Sequence, residues 1–369
     1  MKGLQLQWPG RRVPADCSQV RACFHPLADG PAEVGIPLPR SSNLLVYGDN
    51  LLTMAALLEA YRGEIDLIYI DPPFATGKDF DAYDDQWRWD RRPGQYLQML
   101  YDRLALMRDL LAESGSLYLH LDWRMGHYVK VVLDEIFGAD NFQNCISWRR
   151  EVSRGMKAHA RFLGNNTDCI LLYTKEAARA KWNIPRGRRE VTRQEAERDY
   201  HRDELGYFTT SHRGTYSDDR IMELADQGRI YVTRGGSLIR DEAGVRASKG
   251  TIRVKYYLAQ EGEKLYKSYT IDNLWDDIAG IAMRSGERVG YPTQKPVDLL
   301  KRIISISTDE GDLVADFFCG SGTTLAAGEE LGRKWIGVDN SPEAVDICRQ
   351  RLAELHASNC ISLRCSARD

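Results

Sequence analysis

Apolar runs and amphipathic stretches alternate along the chain from Asn43 onward. Asn43–Tyr47 (NLLVY) and Ile65–Ile70 (IDLIYI) read as buried strands. The segment between them, opened by Gly48-Asp49-Asn50, predicts a helix to about Tyr61, with Asn50 or Thr53 as its cap. Ala75–Arg92 is charged and aromatic and predicts a loop. Beyond it Leu97, Leu100, Leu104, Met107 and Leu111 recur at gaps of 3, 4, 3 and 4, one face of a helix that Gly115 should end. Ser116–Leu121 predicts a third strand, followed by a helix to about Phe137, and Ile146–Trp148 and Cys169–Tyr173 predict two more strands.

Strands alternating with helices at this spacing predict an α/β sheet of parallel order. The rhythm lapses from about 175 to 290, where short pieces rich in Arg, Lys and Tyr stand, such as Arg186–Arg189 (RGRR) and Thr251–Leu258 (TIRVKYYL). It resumes with a helix over Pro296–Ser307, a strand over Asp312–Phe317, a glycine loop at Cys319–Gly322, a helix over Thr323–Leu331 and a strand over Lys334–Val338. Ser341 should cap a last helix with Ala344, Cys348, Leu352 and Leu355 on one face. The expected plan is an irregular arm over 1–42, one half of a domain over 43–175, an insert over 176–288, the other half over 289–356, and a patternless tail over 357–369.

Composition adds three constraints. With 43% hydrophobic residues in 369, the chain can bury a sizeable core. The net charge is −3, yet residues 149–202 hold 14 Lys and Arg against 7 Asp and Glu, so a polyanion is expected at one face. The eight cysteines lack the two-residue gap of a zinc or thioredoxin site, and His159, His201 and His212 lack ligand spacing, so no metal is expected. No signal peptide and no apolar run near ~20 residues is visible, which predicts a reduced, cytoplasmic protein with no membrane contact.

Two motifs carry chemistry. Asp316-Phe-Phe-Cys-Gly-Ser-Gly-Thr-Thr324 follows a strand and opens a helix, and its glycines let the backbone approach a ligand. It departs from the G-x-G-x-x-G dinucleotide fingerprint, because position 325 is Leu. Asp339 lies 19 residues beyond Gly320 at the end of the next strand, where a carboxylate can accept ribose hydroxyls. A ribose contact without a pyrophosphate cradle suits S-adenosylmethionine better than a dinucleotide. The second motif, Asp71-Pro-Pro-Phe74, ends a buried strand, where open α/β sheets bind their ligands. The lone pair of an exocyclic base amine is delocalised into the ring. The Asp71 side chain and the Pro72 carbonyl can accept its N–H bonds and free that pair. Pro72 and Pro73 keep the acceptors rigid, and Phe74 offers a face for a base turned out of the duplex.

These motifs resemble those of the β-class DNA amino-methyltransferases, in which D-P-P-Y/F comes first, then a target-recognition region, then F-x-G-x-G; here Phe318-Cys-Gly-Ser-Gly322 fills the last place. Tyr291-Pro-Thr-Gln-Lys-Pro296 and Gly48-Asp49-Asn50 are similar to flanking family segments, and Asp71–Phe80 with Asp134–Gly138 resembles the modification subunits of type III restriction systems. The resemblance covers about 43–175 and 290–356. It implies an S-adenosylmethionine-dependent, Rossmann-like methyltransferase sheet, circularly permuted so that the catalytic half comes first, with an inserted target-recognition domain. It also implies cofactor contacts at Asp316, Phe317, Cys319, Gly320, Gly322, Thr323, Asp339, Asn340, Thr293, Lys295 and Asp49. Two positions depart from the commoner family residues: Asp339 stands where many relatives have Glu, and Phe74 where many have Tyr.

Double-stranded DNA is the expected partner, through Arg149, Arg150, Arg154 and Lys157 near the catalytic edge and through Arg186, Arg188 and Arg189 in the insert. His120 and Asp122 either shape the base pocket or cap the next helix. By resemblance, Asp at position 71 favours adenine N6. The chemistry alone leaves cytosine N4 open, and a catalytically inactive nucleic-acid-binding protein of the same fold is the rival from another class. The family likeness further implies a cognate restriction endonuclease and a homodimer.

Overall fold

The computed structural model describes residues 5–14, 22–27, 42–74, 79–80, 83–84, 93–152, 161–282, 284–357 and 359–367. The expected loop over 75–92 and the expected DNA contacts Arg154 and Lys157 lie outside them, apart from two short strand pieces in that loop. The chain forms two compact units, one of residues 1–185 and 272–369, the other of Arg186–Ile271.

The first unit is built on one ten-stranded sheet. Its strands are β1 (Ala22–Pro26), β2 (Asn43–Tyr47), β3 (Ile65–Ile70), β4 (Leu111–Leu121), β5 (Phe142–Arg149), β6 (Thr167–Thr174), β7 (Leu274–Trp275), β8 (Leu313–Asp316), β9 (Lys334–Asp339) and β10 (Cys360–Ala367). Their spatial order is β1-β10-β2-β9-β8-β3-β4-β6-β5-β7. The run from β10 to β4 is parallel, as the alternating pattern predicts, and so is the β5–β7 pair. β6 runs antiparallel to β4 and β5, and β1 antiparallel to β10.

Alternate residues of the central strands face opposite layers. Leu44, Val46, Ile68, Ile70, Ile336 and Val338 join one core with α1 (Asn50–Tyr61), α2 (Pro93–Leu110) and α3 (Gly126–Phe137). On the other face Leu45 and Trp335 meet Val345, Cys348 and Leu352 of α6 (Pro342–Glu354). α4 (Val297–Ser307) packs on α5 (Thr323–Glu330) and against β3 and β4.

Several expectations need correcting. α1 is capped by Asp49, whose side chain accepts from the Leu51 and Leu52 amides; Asn50 and Thr53 do not serve as its cap. α2 ends at Leu110, before Gly115, which lies inside β4 where a Cβ would meet the Ile65 carbonyl oxygen at 2.8 Å. Neither end of the chain is patternless in three dimensions. β10 joins the sheet between β1 and β2, and Trp8 packs edge-on against Tyr101 of α2.

The second unit is shorter than the expected insert. Lys181 pairs with Asp312, the Asn183 side chain donates to the Ser305 and Thr308 carbonyls, and Trp275 enters the main sheet beside Trp148. These contacts hold residues 176–185 and 272–288 to the first unit. Within the second, strands His201–Asp203, Gly206–His212, Ile252–Tyr257 and Ile230–Val232 form an antiparallel sheet, and Ile252 and Val254 pack against Ile221 and Leu224 of helix Asp218–Asp226. A second sheet pairs Arg186–Val191 with Lys264–Thr270.

Leu104 is fully buried on the predicted face of α2. Leu104→Ala should destabilise the first unit by about 2–5 kcal/mol, through lost transfer energy and the cavity left behind. Urea unfolding followed by tryptophan fluorescence measures it.

Candidate active site

β3 and β8 lie side by side and parallel, with Val314 opposite Leu67 and Ala315 opposite Ile68. The chain leaves them in opposite directions across the sheet, β3 toward β4 and β8 toward β9, which makes a topological switch point and opens a crevice at their carboxyl ends. Asp71–Phe74 enters that crevice from β3 and the glycine loop from β8. A cavity with about 880 Å³ of empty space, part of it open to solvent, lies between them.

Of the expected residues, Asp71, Pro72, Pro73, Phe74, Thr293, Lys295, Asp316, Cys319, Gly320, Thr323, Asp339 and Asn340 line this cavity. Three do not. Phe317 is fully buried in the core, and its carbonyl accepts from the Asn50 side chain at 2.7 Å. Gly322 has φ 72°, and a Cβ there would meet Cys348 Sγ at 2.7 Å, so its work is to let α5 start against α6. Asp49 caps α1 and pairs with Arg103 at 3.3 Å. The turn Gly48–Asn50 thus braces the glycine loop from behind.

The structure adds Tyr69, Tyr291, Gln294, Leu300, Phe318, Ser321 and Thr324 to the lining. Tyr69 was hidden in a strand whose apolar pattern signalled only burial. Gln294 lies between Thr293 and Lys295 in a segment whose irregular backbone gives sequence periodicity nothing to report.

The carboxylates are held by different partners. Lys295 Nζ donates to Asp71 Oδ2, while Asp71 Oδ1 is buried without a hydrogen-bond partner. A buried acceptor left unsatisfied costs stability, so its retention points to a donor brought by a ligand. Asp316 accepts from the Phe318 amide at 3.0 Å and from Thr324 Oγ1 at 2.5 Å; burial outweighs both and pushes its carboxyl up to about 7. Burial likewise raises Asp339, against hydrogen bonds from the Ser341 and Gly320 amides at 2.9 and 2.8 Å. Those amides fix the carboxylate and leave lone pairs for further donors. Gly320 has φ 47°, and a Cβ there would come within 3.0 Å of the Tyr291 ring.

His120 and Asp122 take different roles. Asp122 accepts from the Arg124 amide at 2.9 Å and pairs with the Arg124 guanidinium, closing the turn before α3. His120 is fully buried beside Phe74, with ring centroids 5.9 Å apart.

The expected DNA contacts lie outside the cavity and are engaged locally. Arg149 pairs with Asp276 at 3.0 Å, and Arg150 with Asp168 at 3.1 Å. Within the second unit Arg188 pairs with Glu261 and Arg189 with Glu195, both at 2.6 Å, while Arg186 is exposed. The exposed pairs Arg149–Asp276 and Arg188–Glu261 contribute about 0–1 kcal/mol, so a phosphate can replace the acid there, whereas Asp168 is buried.

The profile of the DNA methylase family of N6 and N4 methyltransferases matches residues 65–350. The chain belongs to this family. It is 33% identical over 343 residues to the type II methyltransferase M.EcaI of Enterobacter cloacae, covering 88% of this chain and 72% of that one. The DNA adenine methyltransferase YhdJ of Escherichia coli is 25% identical over 309 residues, covering 84% and 82%. The probable type III HindVI Mod subunit of Haemophilus influenzae is 24% identical over 403 residues; 89% of this chain is covered, which spans about half, 53%, of that subunit. The sheet carries the Rossmann-like methyltransferase fold, and in chain order β3, which leads into Asp71–Phe74, precedes β8, which leads into the glycine loop. Among the described residues no helix is long and apolar enough to cross a membrane.

The raised carboxyl of Asp316 has a consequence for stability. A folded-state value near 7, above the ordinary 3.8, means that this group's favourable contribution is complete below about pH 4 and is lost as pH rises through 7. Asp316→Asn should therefore gain melting temperature relative to wild type between pH 5 and pH 8. Thermal unfolding of the ligand-free protein across that range checks it.

Proposed function

We propose that this chain transfers a methyl group from S-adenosylmethionine to the N6 of adenine in a specific sequence of duplex DNA, with the target base rotated out of the helix. The observation that carries this reading is the unpartnered Oδ1 of Asp71, a residue that lines the glycine-loop cavity.

The lining residues fit S-adenosylmethionine. Asp71, Asp316 and Asp339 surround the cavity with Lys295 as the one cation among its described lining residues, so a ligand carrying positive charge is favoured. Asp339 suits ribose hydroxyls, and Asp316, eased by a cationic neighbour, suits the ligand's ammonium group. Gly320 keeps the wall beside Tyr291 open. When bound, S-adenosylmethionine supplies a methyl carbon made electrophilic by a sulfonium.

The protein's own part is to prepare the nucleophile. Asp71 Oδ1 and the Pro72 carbonyl accept the two N–H bonds of the base amine, which concentrates its lone pair on nitrogen. Lys295 holds the other Asp71 oxygen, so the acceptor does not turn away. Pro72 and Pro73 limit backbone reorganisation. Phe74 stacks against the base. After transfer, Asp71 Oδ1 is the atom that takes the surplus amine proton.

Adenine is favoured by Asp at position 71 and by relatives that include a DNA adenine methyltransferase. Cytosine N4 is the second reading, because the acceptors serve either amine. Membership of a restriction-modification system, with a cognate endonuclease, follows the type II and type III relatives. In this reading Arg149, Arg150 and the arginines of residues 186–271 contact DNA, and the second unit recognises the target sequence.

Asp71→Ala should lower turnover by at least about 100-fold, the scale of losing one preorganised electrostatic contact. S-adenosylmethionine affinity should stay within a few-fold. Methyl-transfer assays paired with calorimetric titration test both, and wild-type turnover in this variant contradicts the acceptor role.

A further inference from the structure

Behind the cavity lies a buried polar chain that methyl transfer, as described above, does not use. His120 is fully buried in β4. Its Nδ1 is 2.9 Å from the hydroxyl of Tyr69, a cavity-lining residue, and its Nε2 is 3.3 Å from Asp168 Oδ2. Trp148 closes on the ring edge-on, with centroids 5.5 Å apart, and Phe74 lies at 5.9 Å with planes tilted by 38°. Trp148 is itself fixed by its indole N–H, which donates to the Ile278 carbonyl at 2.7 Å. Arg150 approaches the second oxygen of Asp168.

Asp168 sets the protonation pattern. Burial alone would raise its carboxyl. The hydrogen bond from His120, with the charges of Arg150 and Lys295, brings it below the ordinary carboxylate range, so it is an acceptor. An ionised acceptor selects the Nε2–H tautomer of His120. Nδ1 is then an acceptor, and the Tyr69 hydroxyl donates to it. Burial, and after it the charges of Asp71, Asp316 and Asp168, raise the Tyr69 phenol, which keeps the donated proton in place. The direction of every proton in the chain follows from one charge.

We propose that His120 is a positioning residue of the methyl-transfer site, locked by Asp168 in one tautomer so that it anchors Tyr69 and backs the ring of Phe74. This rests on the reading of Phe74 as the surface that stacks the target base. A ring that offers a stacking face must not yield when the base arrives. Phe74 follows two prolines at the end of β3, and no described hydrogen bond orients its side chain. Its angle is therefore set by its neighbours, the His120 ring and the Lys295 ammonium, which stands 5.3 Å from the Phe74 centroid. The imidazole is held at both nitrogens and along one edge, which makes it a rigid backing, whereas an apolar side chain of similar size could change rotamer. Tyr69 is held from the same atom, so the base side and the cofactor side of the cavity share one anchor.

The test compares Tyr69→Phe, His120→Gln, Asp168→Asn and Phe74→Leu in the full chain with unmethylated plasmid DNA as substrate. kcat, KM for DNA, S-adenosylmethionine affinity and melting temperature are measured for each. Tyr69→Phe removes one oxygen, and Asp168→Asn removes the charge that selects the tautomer. The expected result is a kcat about 10- to 100-fold lower in the His120 and Asp168 variants, with cofactor affinity within about twofold and assays run well below each melting temperature. Tyr69→Phe should lose kcat in the same sense. Lowered melting temperature with wild-type kcat across these three overturns the proposal, because it leaves His120 a purely structural role. If His120→Gln fails to fold, Tyr69→Phe and Asp168→Asn decide in the same way. Wild-type kcat in Phe74→Leu contradicts base stacking itself, whereas impairment there alone contradicts only the part given to His120.

Discussion

The parallel pairing of β3 with β8 is the contact on which the site depends. Two strands far apart in sequence meet through Leu67–Val314 and Ile68–Ala315, and each ends in a carboxylate. Asp71 emerges from one and Asp316 from the other, so the group that would handle the base amine and the group that would hold the cofactor are set by one backbone register. A one-residue slip would turn alternate side chains of β3 to the opposite face of the sheet. The apolar faces of both strands, filled by Ile68, Ile70 and Ala315 against the helical layer, prevent it.

Around that pairing the protein confines negative charge. Asp316 and Asp339 both lie at carboxyl ends of parallel strands; Asp316 is buried and Asp339 half-buried, and desolvation raises both. Such a pocket is costly while empty of cations and is relieved by a ligand that brings positive charge. Lys295 pairs with Asp71 from one side. The free oxygen on the other side is what distinguishes a poised acceptor from an ordinary buried ion pair, which closes both oxygens where it can.

Periodicity made the central sheet legible because buried strands and amphipathic helices are repetitive. β2, β3, β8 and β9 lie where their apolar runs predict, as does the Leu97–Met107 face of α2. Motif chemistry likewise brought Asp71–Phe74 and the glycine loop to one cavity. Long-range partners were not legible. Lys295 reads as a cofactor contact, yet its amine meets Asp71, 224 residues away. Asp49 reads as a ligand residue and instead caps α1, since a short acid before a helix serves either purpose. β10 escaped because an edge-proximal strand of mixed polarity lacks the signature of a buried one. His120 stood open between two roles until the fold brought Tyr69 and Asp168 to its two nitrogens.

In the proposed reaction the buried acceptors activate an exocyclic base amine. The most direct test is nucleoside mass spectrometry of unmethylated mixed-sequence DNA after incubation with the purified protein and S-adenosylmethionine. N6-methyladenine is expected, and it should be lost when Asp71 is replaced by Ala. 5-Methylcytosine, formed at a ring carbon where these acceptors have no amine to receive, would contradict that activation, as would DNA left unmethylated by a folded protein that binds the cofactor.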